Sequence, residues 1–80
     1  MEISQAVAIR ILELTKKNNI SLYRLAHNAC ISYETIKSII KNKTKGVNLK
    51  TLIFIADGLN MTISEFLDSY LFDYDNLEME

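Results

Sequence analysis

Several residue types that build functional sites are scarce in this 80-residue chain, which has no proline, two glycines, one cysteine and one histidine. A single cysteine excludes an internal disulfide and fits a reducing compartment, so we expect a cytoplasmic protein. His27 and Cys30 stand three residues apart and cannot close a zinc site by themselves. We therefore expect no metal and no cofactor.

The same scarcities argue against an enzyme. Two glycines allow no phosphate-cradling loop, and seven of the ten carboxylates follow residue 50 without a base or nucleophile beside them. No acid–base pair or catalytic triad can be named from such a set. No apolar run approaches the roughly 18 residues that span a membrane, and an acid at position 2 is untypical of a signal peptide. We expect neither a membrane partner nor a small-molecule ligand.

Charges of opposite sign are concentrated in different segments of the chain. Residues 16 to 50 carry eight lysines and arginines against Glu34 alone, a net charge of +7, whereas residues 51 to 80 carry seven carboxylates and no base. The overall charge of -1 therefore hides a strong separation. A basic segment of this size is the electrostatic footprint of a protein that binds a polyanion.

Apolar residues are 49% of the chain and recur at helical spacing, which predicts one compact all-α domain. Ser21, Ser32 and Asn48 are candidate N-caps, and Thr62 with Glu65 forms a capping-box pattern. Asn19 and Asn60 are candidate left-handed ends. The predicted five-helix bundle has helices near 3–18, 21–29, 32–42, 49–59 and 63–72. Helical spacing predicts the inward side chains of the first, fourth and fifth helices, with Ile55 at the edge of the fourth: Ile3, Val7, Ile11 and Leu14; Leu49, Leu52, Ile53, Ala56 and Leu59; and Ile63, Phe66, Leu67 and Tyr70.

The second and third predicted helices are separated only by Cys30 and Ile31. So short a turn favours two helices that cross steeply, as in a helix-turn-helix unit. The third helix turns Ile36 and Ile39 inward and a polar set outward: Tyr33, Glu34, Lys37, Ser38 and Lys41. Hydrogen-bonding side chains early and lysines late suit base reading and phosphate contact. The alternative is an ordinary solvated face, which is usually polar and often lysine-rich.

The order of these helices and their residues resembles the Cro/lambda-repressor-like helix-turn-helix regulators, also called the Xre family. The likeness runs from about Arg10 to Leu67, and the segment 42–45 is similar to the basic, phosphate-contacting loop of lambdoid phage repressors. It rests on short motifs in register: Ile20-Ser21, Leu25-Ala26, Ile31-Ser32, Thr35-Ile36, Asn48-Leu49, Thr51-Leu52, Thr62-Ile63 and Glu65-Phe66-Leu67.

The resemblance implies a sequence-specific double-stranded DNA-binding transcriptional regulator of bacterial or phage type, a homodimer on an inverted repeat. The third helix, 32–42, is then the recognition helix in the major groove. We expect a repressor because nothing resembles an added activation region. The base-facing positions are Tyr33, Glu34, Lys37 and Ser38. The backbone-facing positions are Ser32, Lys41, Asn42, Lys43, Lys45, Tyr23 and Arg24.

Two positions depart from the family pattern. Leu22 stands where many members have a glutamine that anchors the second helix to phosphate and to the recognition helix, so Tyr23 or Arg24 are candidates to replace it. Cys30 stands where glycine is usual, and a left-handed conformation there costs roughly 1 kcal/mol. We expect Cys30 to be a small buried residue rather than a redox sensor.

The dimer surface and the tail stay open. Residues 1–70 are predicted to form the DNA-binding domain, with the helix-turn-helix at 21–42, and the acidic extension 71–80 either continues the fifth helix, pairs across a dimer or frays. The candidate dimer surfaces are an apolar stripe of the first helix (Ala8, Ile9 and Leu12), the outward Phe54, and the fifth helix with the tail. We favour packing of the stripe under the C-terminal segment.

A second function competes with DNA binding. The acidic third of the chain, the missing glutamine and the extra apolar stripe would all suit a protein-interaction module on a helix-turn-helix fold, such as an antitoxin-like or accessory regulator. Such a module would have weak or no DNA binding. The salt dependence of binding discriminates the two, because phosphate contacts release counterions and protein contacts do so far less.

Overall fold

The computed structural model describes residues 1–43 and 46–78. Within them the chain forms five α-helices and no strand, and two 3₁₀ helices follow, Tyr70–Phe72 and Tyr74–Asn76. The all-α, five-helix prediction is confirmed. The α-helices are α1 (Ile3–Lys17), α2 (Leu22–Ala29), α3 (Tyr33–Ile40), α4 (Leu49–Gly58) and α5 (Ile63–Leu67).

Side-chain caps begin four of these helices. Ser21, Ser32, Asn48 and Thr62 each accept a hydrogen bond from the backbone amide three residues further on, as the sequence predicts. Glu65 completes the predicted capping box, since its Oε1 accepts from the Thr62 amide at 2.8 Å. A cap of this kind contributes about 1 kcal/mol by satisfying an amide that the helix itself cannot pair.

Three of the helices, α1, α2 and α4, end in one and the same turn. A residue with positive φ comes first, a half-buried apolar residue second, and the serine or threonine that caps the next helix third. The amide of the apolar residue donates to a carbonyl five residues back, which is the Schellman pattern. The three turns are Asn19-Ile20-Ser21, Cys30-Ile31-Ser32 and Asn60-Met61-Thr62. The predicted left-handed conformations at Asn19 and Asn60 are confirmed, and Cys30 adopts φ 58°.

The core contains a fully buried apolar side chain from every α-helix: Ile11, Leu25, Ile36, Ile55 and Phe66. The α2 and α4 helices approach each other most closely where Gly58 meets Ala29. A Cβ placed on Gly58 would lie 2.8 Å from the Ala29 Cβ and 2.9 Å from its backbone nitrogen. Glycine is therefore required at this contact because any side chain would push the helices apart.

The fifth helix is shorter than predicted. It ends at Leu67 rather than near residue 72, and the Arg10 side chain of α1 binds the last carbonyls of the helix. Its Nε donates to the Phe66 carbonyl at 2.7 Å and its Nη2 to the Glu65 carbonyl at 2.9 Å. These carbonyls would otherwise accept from the next helical turn. The chain then bends into the first 3₁₀ helix, which buries Leu71 and exposes Tyr70, against the inward orientation predicted for Tyr70.

The predicted inner face of α4 was partly wrong. Leu49 and Ile53, expected inside, are 60% and 44% exposed, whereas Ile55, expected at the edge, is fully buried. The buried face follows Leu52, Ile55 and Leu59 at offsets of three and four. Phe54 is exposed, as predicted.

Other apolar side chains are also more exposed than predicted. Ala8 is buried, but Ile9 and Leu12 of the same stripe are 38% and 45% exposed, so the prediction that the C-terminal segment covers the stripe was wrong for these two residues. The C-terminal segment instead meets the start of the chain, where the Glu78 amide donates to the Met1 carbonyl at 2.7 Å. Ile3 and Leu67, expected inward, are partly exposed as well.

The described residues contain no helix that is both long and apolar enough to cross a bilayer. They also contain no group of three histidines, cysteines or carboxylates placed to hold a metal ion.

Candidate nucleic-acid interface

The outward face of α3 is held in place by its buried face and its cap. Ile36 and Ile39 lie in the core, and Ser32 begins the helix by accepting from the Thr35 amide at 3.1 Å. The Ser32 and Thr35 hydroxyls also lie 2.8 Å apart, within hydrogen-bonding distance. The helix runs from Tyr33 to Ile40, and Lys41 is its C-cap, so the predicted range 32–42 includes the caps on either side.

Three of the four predicted base-facing side chains contact one another. The Lys37 Nζ lies 5.4 Å from the centre of the Tyr33 ring and 3.7 Å from the Glu34 Oε1. The ammonium is therefore held between a ring face and a carboxylate, by a cation–π contact and an ion pair. Ser38 lies half-buried on the next turn.

A ring from α2 joins this face. Tyr23 meets Tyr33 edge to face, with 5.6 Å between the ring centres and 69° between the ring planes. Tyr23 was predicted to face the DNA backbone and was a candidate to replace the missing glutamine, but a contact between its ring and Tyr33 was not predicted. The contact depends on the angle at which α2 crosses α3, which residue spacing along the chain does not supply.

The predicted backbone-facing residues surround this cluster on two sides. Tyr23 and Arg24 lie in the first turn of α2, and both are exposed. Lys41 and Lys43 follow α3 and are exposed too. Lys45 lies outside the described residues.

Asn42, another predicted backbone contact, has a structural role. Its Oδ1 accepts a hydrogen bond of 2.6 Å from the hydroxyl of Ser4, which is fully buried in α1. Its φ of 58° ends α3, and the Lys43 amide donates to the Ser38 carbonyl at 2.9 Å. The exit of α3 is thereby tied to α1, and the amide nitrogen of Asn42 remains as the donor that could reach a phosphate.

A cleft of about 350 Å³ lies between α3 and the start of α4. Its lining includes Glu34 and Ser38 on one side and Asn48 and Thr51 on the other. The Asn48 Oδ1 accepts from the Thr51 amide at 2.8 Å, so this wall is the capped N-terminus of α4. Neither Asn48 nor Thr51 was predicted from the sequence to contact a ligand. The cap pattern at Asn48 was the available signal, because a helix N-terminus facing a groove favours anions.

The basic and acidic segments of the sequence do not pair with each other through salt bridges among the described residues. Among the described residues, the ion pairs are Lys37 with Glu34 and the Met1 ammonium with Glu78. Neither joins the basic segment 16–50 to the acidic segment 51–80. The Arg10 guanidinium binds backbone carbonyls of Glu65, Phe66 and Asp68 rather than carboxylates.

The family of this chain follows from comparison of its sequence with known protein families. The model of the Cro/C1-type helix-turn-helix DNA-binding domain matches residues 10–70. The chain belongs to this family. It is a DNA-binding regulator, which confirms the predicted resemblance and the predicted function class.

A solved structure agrees with the Cro/C1-type assignment. The fold is similar to the crystal structure of a tyrosine-to-alanine mutant of the restriction-modification controller protein C.Esp1396I, with a TM-score of 0.76 and 19% sequence identity. The match covers 85% of this chain and 87% of that chain. At this identity the likeness concerns the fold. No curated protein matches the sequence significantly.

Proposed function

We propose that this Cro/C1-type protein is a site-specific repressor that binds double-stranded DNA as a homodimer. The proposal places α3 in the major groove of each half of an inverted repeat, with the half-sites about one helical turn apart. The observation that carries it is the outward face of α3, where polar side chains stand over buried Ile36 and Ile39 and cations flank the helix. We further propose that the protein has no catalytic activity and acts in the cytoplasm.

The base-facing side chains suit different edges in the groove. Glu34 can accept from the exocyclic amine of cytosine, Lys37 can donate to guanine, and Tyr33 can contact a thymine methyl group. Ser38 can donate or accept. The ion pair between Lys37 and Glu34 does not prevent such contacts, because an exposed pair at 3.7 Å contributes little and guanine acceptors can replace it.

Phosphate contacts are proposed for the residues that surround this face. They serve affinity rather than sequence preference, because every base pair presents the same phosphates. Asn42 would donate from its amide nitrogen, since its oxygen is bonded to Ser4. The set comprises Arg24, Ser32, Lys41, Asn42, Lys43 and Lys45. Tyr23, which was also predicted to face the backbone, packs its ring on Tyr33 and is left out of this set.

Salt-dependent anisotropy of a labelled duplex tests this function. The duplex would carry the upstream region of the protein's own gene, since repressors often control themselves, and a shuffled duplex would serve as the control. Six phosphate contacts predict a slope near -5 in the logarithm of affinity against the logarithm of salt. Binding that is steep in salt and survives the shuffled competitor supports the proposal. No binding at low salt would contradict it.

The dimer surface can be located by matched charge insertions. Two exposed apolar pairs are available, Ile9 with Leu12 on α1 and Leu49 with Ile53 on α4. Placing a carboxylate in a hydrophobic interface is costly, whereas the same change on a solvated face is not. Sedimentation of Ile9→Asp and Ile53→Asp would identify the face whose substitution yields monomers.

The protein-interaction alternative is favoured by the same exposed apolar pairs and by the acidic C-terminal third, whose Tyr70 and Tyr74 are exposed. A protein partner bound there would show a shallow salt dependence and would tolerate loss of Lys37 and Lys43. A large loss of binding on substitution of either lysine would exclude this function.

A further inference from the structure

The α2 helix contributes an aromatic ring to the proposed reading face. The Tyr23 ring packs edge to face on Tyr33, and Tyr33 in turn lies under the Lys37 ammonium. Tyr23 is 69% exposed, so this contact is not part of the core. It joins the first turn of α2 to the first turn of the recognition helix on the solvent side.

We propose that Tyr23 is a positioning residue for sequence reading. Its ring fixes the orientation of Tyr33, and Tyr33 restricts the Lys37 ammonium above the face that meets the bases. This inference rests on the proposed function, because it concerns how the same face discriminates among sequences.

The physical basis of this role is that the Tyr33 and Lys37 side chains are already restricted before DNA binds. An exposed tyrosine or lysine otherwise samples several rotamers, and fixing them on the DNA costs conformational entropy. The edge-to-face pair and the cation–π contact restrict Tyr33 and Lys37 in the free protein. Less entropy is then lost when these side chains meet bases.

This smaller loss of conformational entropy should strengthen specific binding and leave non-specific binding unchanged. Non-specific binding relies on phosphates, and the aromatic contact changes none of the cations that neutralise them. The role also requires the ring and not the hydroxyl. Tyr23→Phe should therefore preserve it, whereas Tyr23→Ala should remove it. If the hydroxyl instead bound a phosphate, the phenylalanine variant would weaken binding to every duplex alike.

The affinity experiment uses two duplexes and the full chain. One duplex is selected from a random-sequence library by the wild-type protein, and the other is a scrambled version of it. We expect Tyr23→Ala to weaken binding to the selected duplex about three- to tenfold and to leave the scrambled duplex within about twofold. Tyr23→Phe should remain within about twofold on both. Tyr74→Ala removes an equally exposed tyrosine outside the interface and is the matched control.

A double-mutant cycle tests whether Tyr23 acts through Tyr33. In a Tyr33→Ala background, Tyr23→Ala should cause no further loss on the selected duplex, because its contact is already gone. In the free protein, proton NMR of Lys37 should show side-chain methylene signals shifted upfield by the Tyr33 ring. Tyr23→Ala should reduce that shift, and Tyr23→Phe should retain it.

Four results would overturn the role: equal loss on both duplexes, loss in Tyr23→Phe as large as in Tyr23→Ala, full additivity of the Tyr23 and Tyr33 substitutions, or Lys37 signals unchanged by Tyr23→Ala. A wild-type protein that selects no sequence would refute the proposed function and this role together. That outcome is recognised before any variant is made.

Discussion

Two kinds of connection join the helices, and they differ in what their residues are free to do. In three connections a left-handed residue, an apolar residue and a capping serine or threonine follow one another without a spare position. The connection from α3 to α4 begins in the same way at Asn42 but continues with Lys43, and the cap of the next helix comes only at Asn48.

The difference lies in the second position of each turn. Ile20, Ile31 and Met61 pack against the core, whereas the Lys43 side chain is exposed although its amide makes the same backbone bond, to the Ser38 carbonyl. The tight turns use every residue to fix the angle between two helices. The α3–α4 connection keeps the helix stop at Asn42 but leaves the Lys43 side chain exposed, so that side chain is available to a ligand. The joint between α2 and α3 is of the tight kind, which suits a helix that must present its face at a set angle.

The largest expected difference in stability is between substitutions of the two glycines. Gly58 lies before the tight turn at Asn60, and Gly46 lies in the α3–α4 connection. Gly58→Ala should lower the free energy of unfolding by about 1–3 kcal/mol, because the new Cβ would meet Ala29 in the packed contact before the Asn60 turn. Gly46→Ala is the control, since nothing lies within 4 Å of its Cβ and its φ is not positive. Thermal unfolding of both variants measures the difference. Equal effects would show that the helix contact tolerates a side chain.

A smaller contrast is expected at the second turn position. Ile31→Ala should cost about 1–2 kcal/mol of stability, since it removes a half-buried side chain that packs on the core. Lys43→Ala at the equivalent position should stay within about 0.5 kcal/mol. Urea denaturation compares them directly. If Lys43→Ala is as destabilising as Ile31→Ala, then the fourth connection is a structural turn like the others.

When glycine is substituted at a position with a left-handed conformation, the change in stability should depend on the residue that it replaces. Cys30→Gly should raise stability by about 0.5–1 kcal/mol, because it removes the strain of a Cβ at φ 58° and loses part of that gain to unfolded-chain entropy. Asn60→Gly should change stability by less than about 0.5 kcal/mol, since asparagine adopts this conformation readily. Calorimetry on the two variants would show whether the cysteine turn is the strained one. A loss of stability in Cys30→Gly would mean that the thiol makes a compensating interaction.

The smallest effect is expected for the DNA affinity of the Lys43→Ala variant. Lys43→Ala should weaken binding about equally on selected and scrambled duplexes and reduce the salt slope by about 0.9, the value for one phosphate contact. Anisotropy at several salt concentrations measures both quantities. An unchanged slope would remove Lys43 from the proposed interface, and a loss confined to the selected duplex would make it a base-reading residue.

Local patterns were sufficient to predict much of this structure. Capping side chains and left-handed asparagines act on backbone groups within a few residues, so Ser21, Ser32, Asn48, Thr62 and Asn60 could be assigned from spacing. The α3 helix and its buried isoleucines follow from the same periodicity. Cys30 was expected to be buried and is exposed, because the left-handed turn directs a side chain away from the helices it joins.

Long-range contacts explain what could not be predicted. The last carbonyls of α5 bind Arg10, which lies 56 residues from Phe66 in sequence. The buried face of α4 was ambiguous because apolar residues surround that helix, and its packing on α2 and α5 selects Ile55 over Ile53. The Tyr23–Tyr33 contact and the Ser4–Asn42 bond likewise join different helices. None of these leaves a periodic signal in the sequence.

The position of Cys30 has a practical consequence. It is the only cysteine in the chain and is exposed in the turn between α2 and α3. A thiol-reactive spin label or fluorophore would therefore attach at one defined site beside α3 without any engineering of the sequence. In the proposed dimer, the distance between two such labels would report the spacing of the two α3 helices directly, with and without DNA.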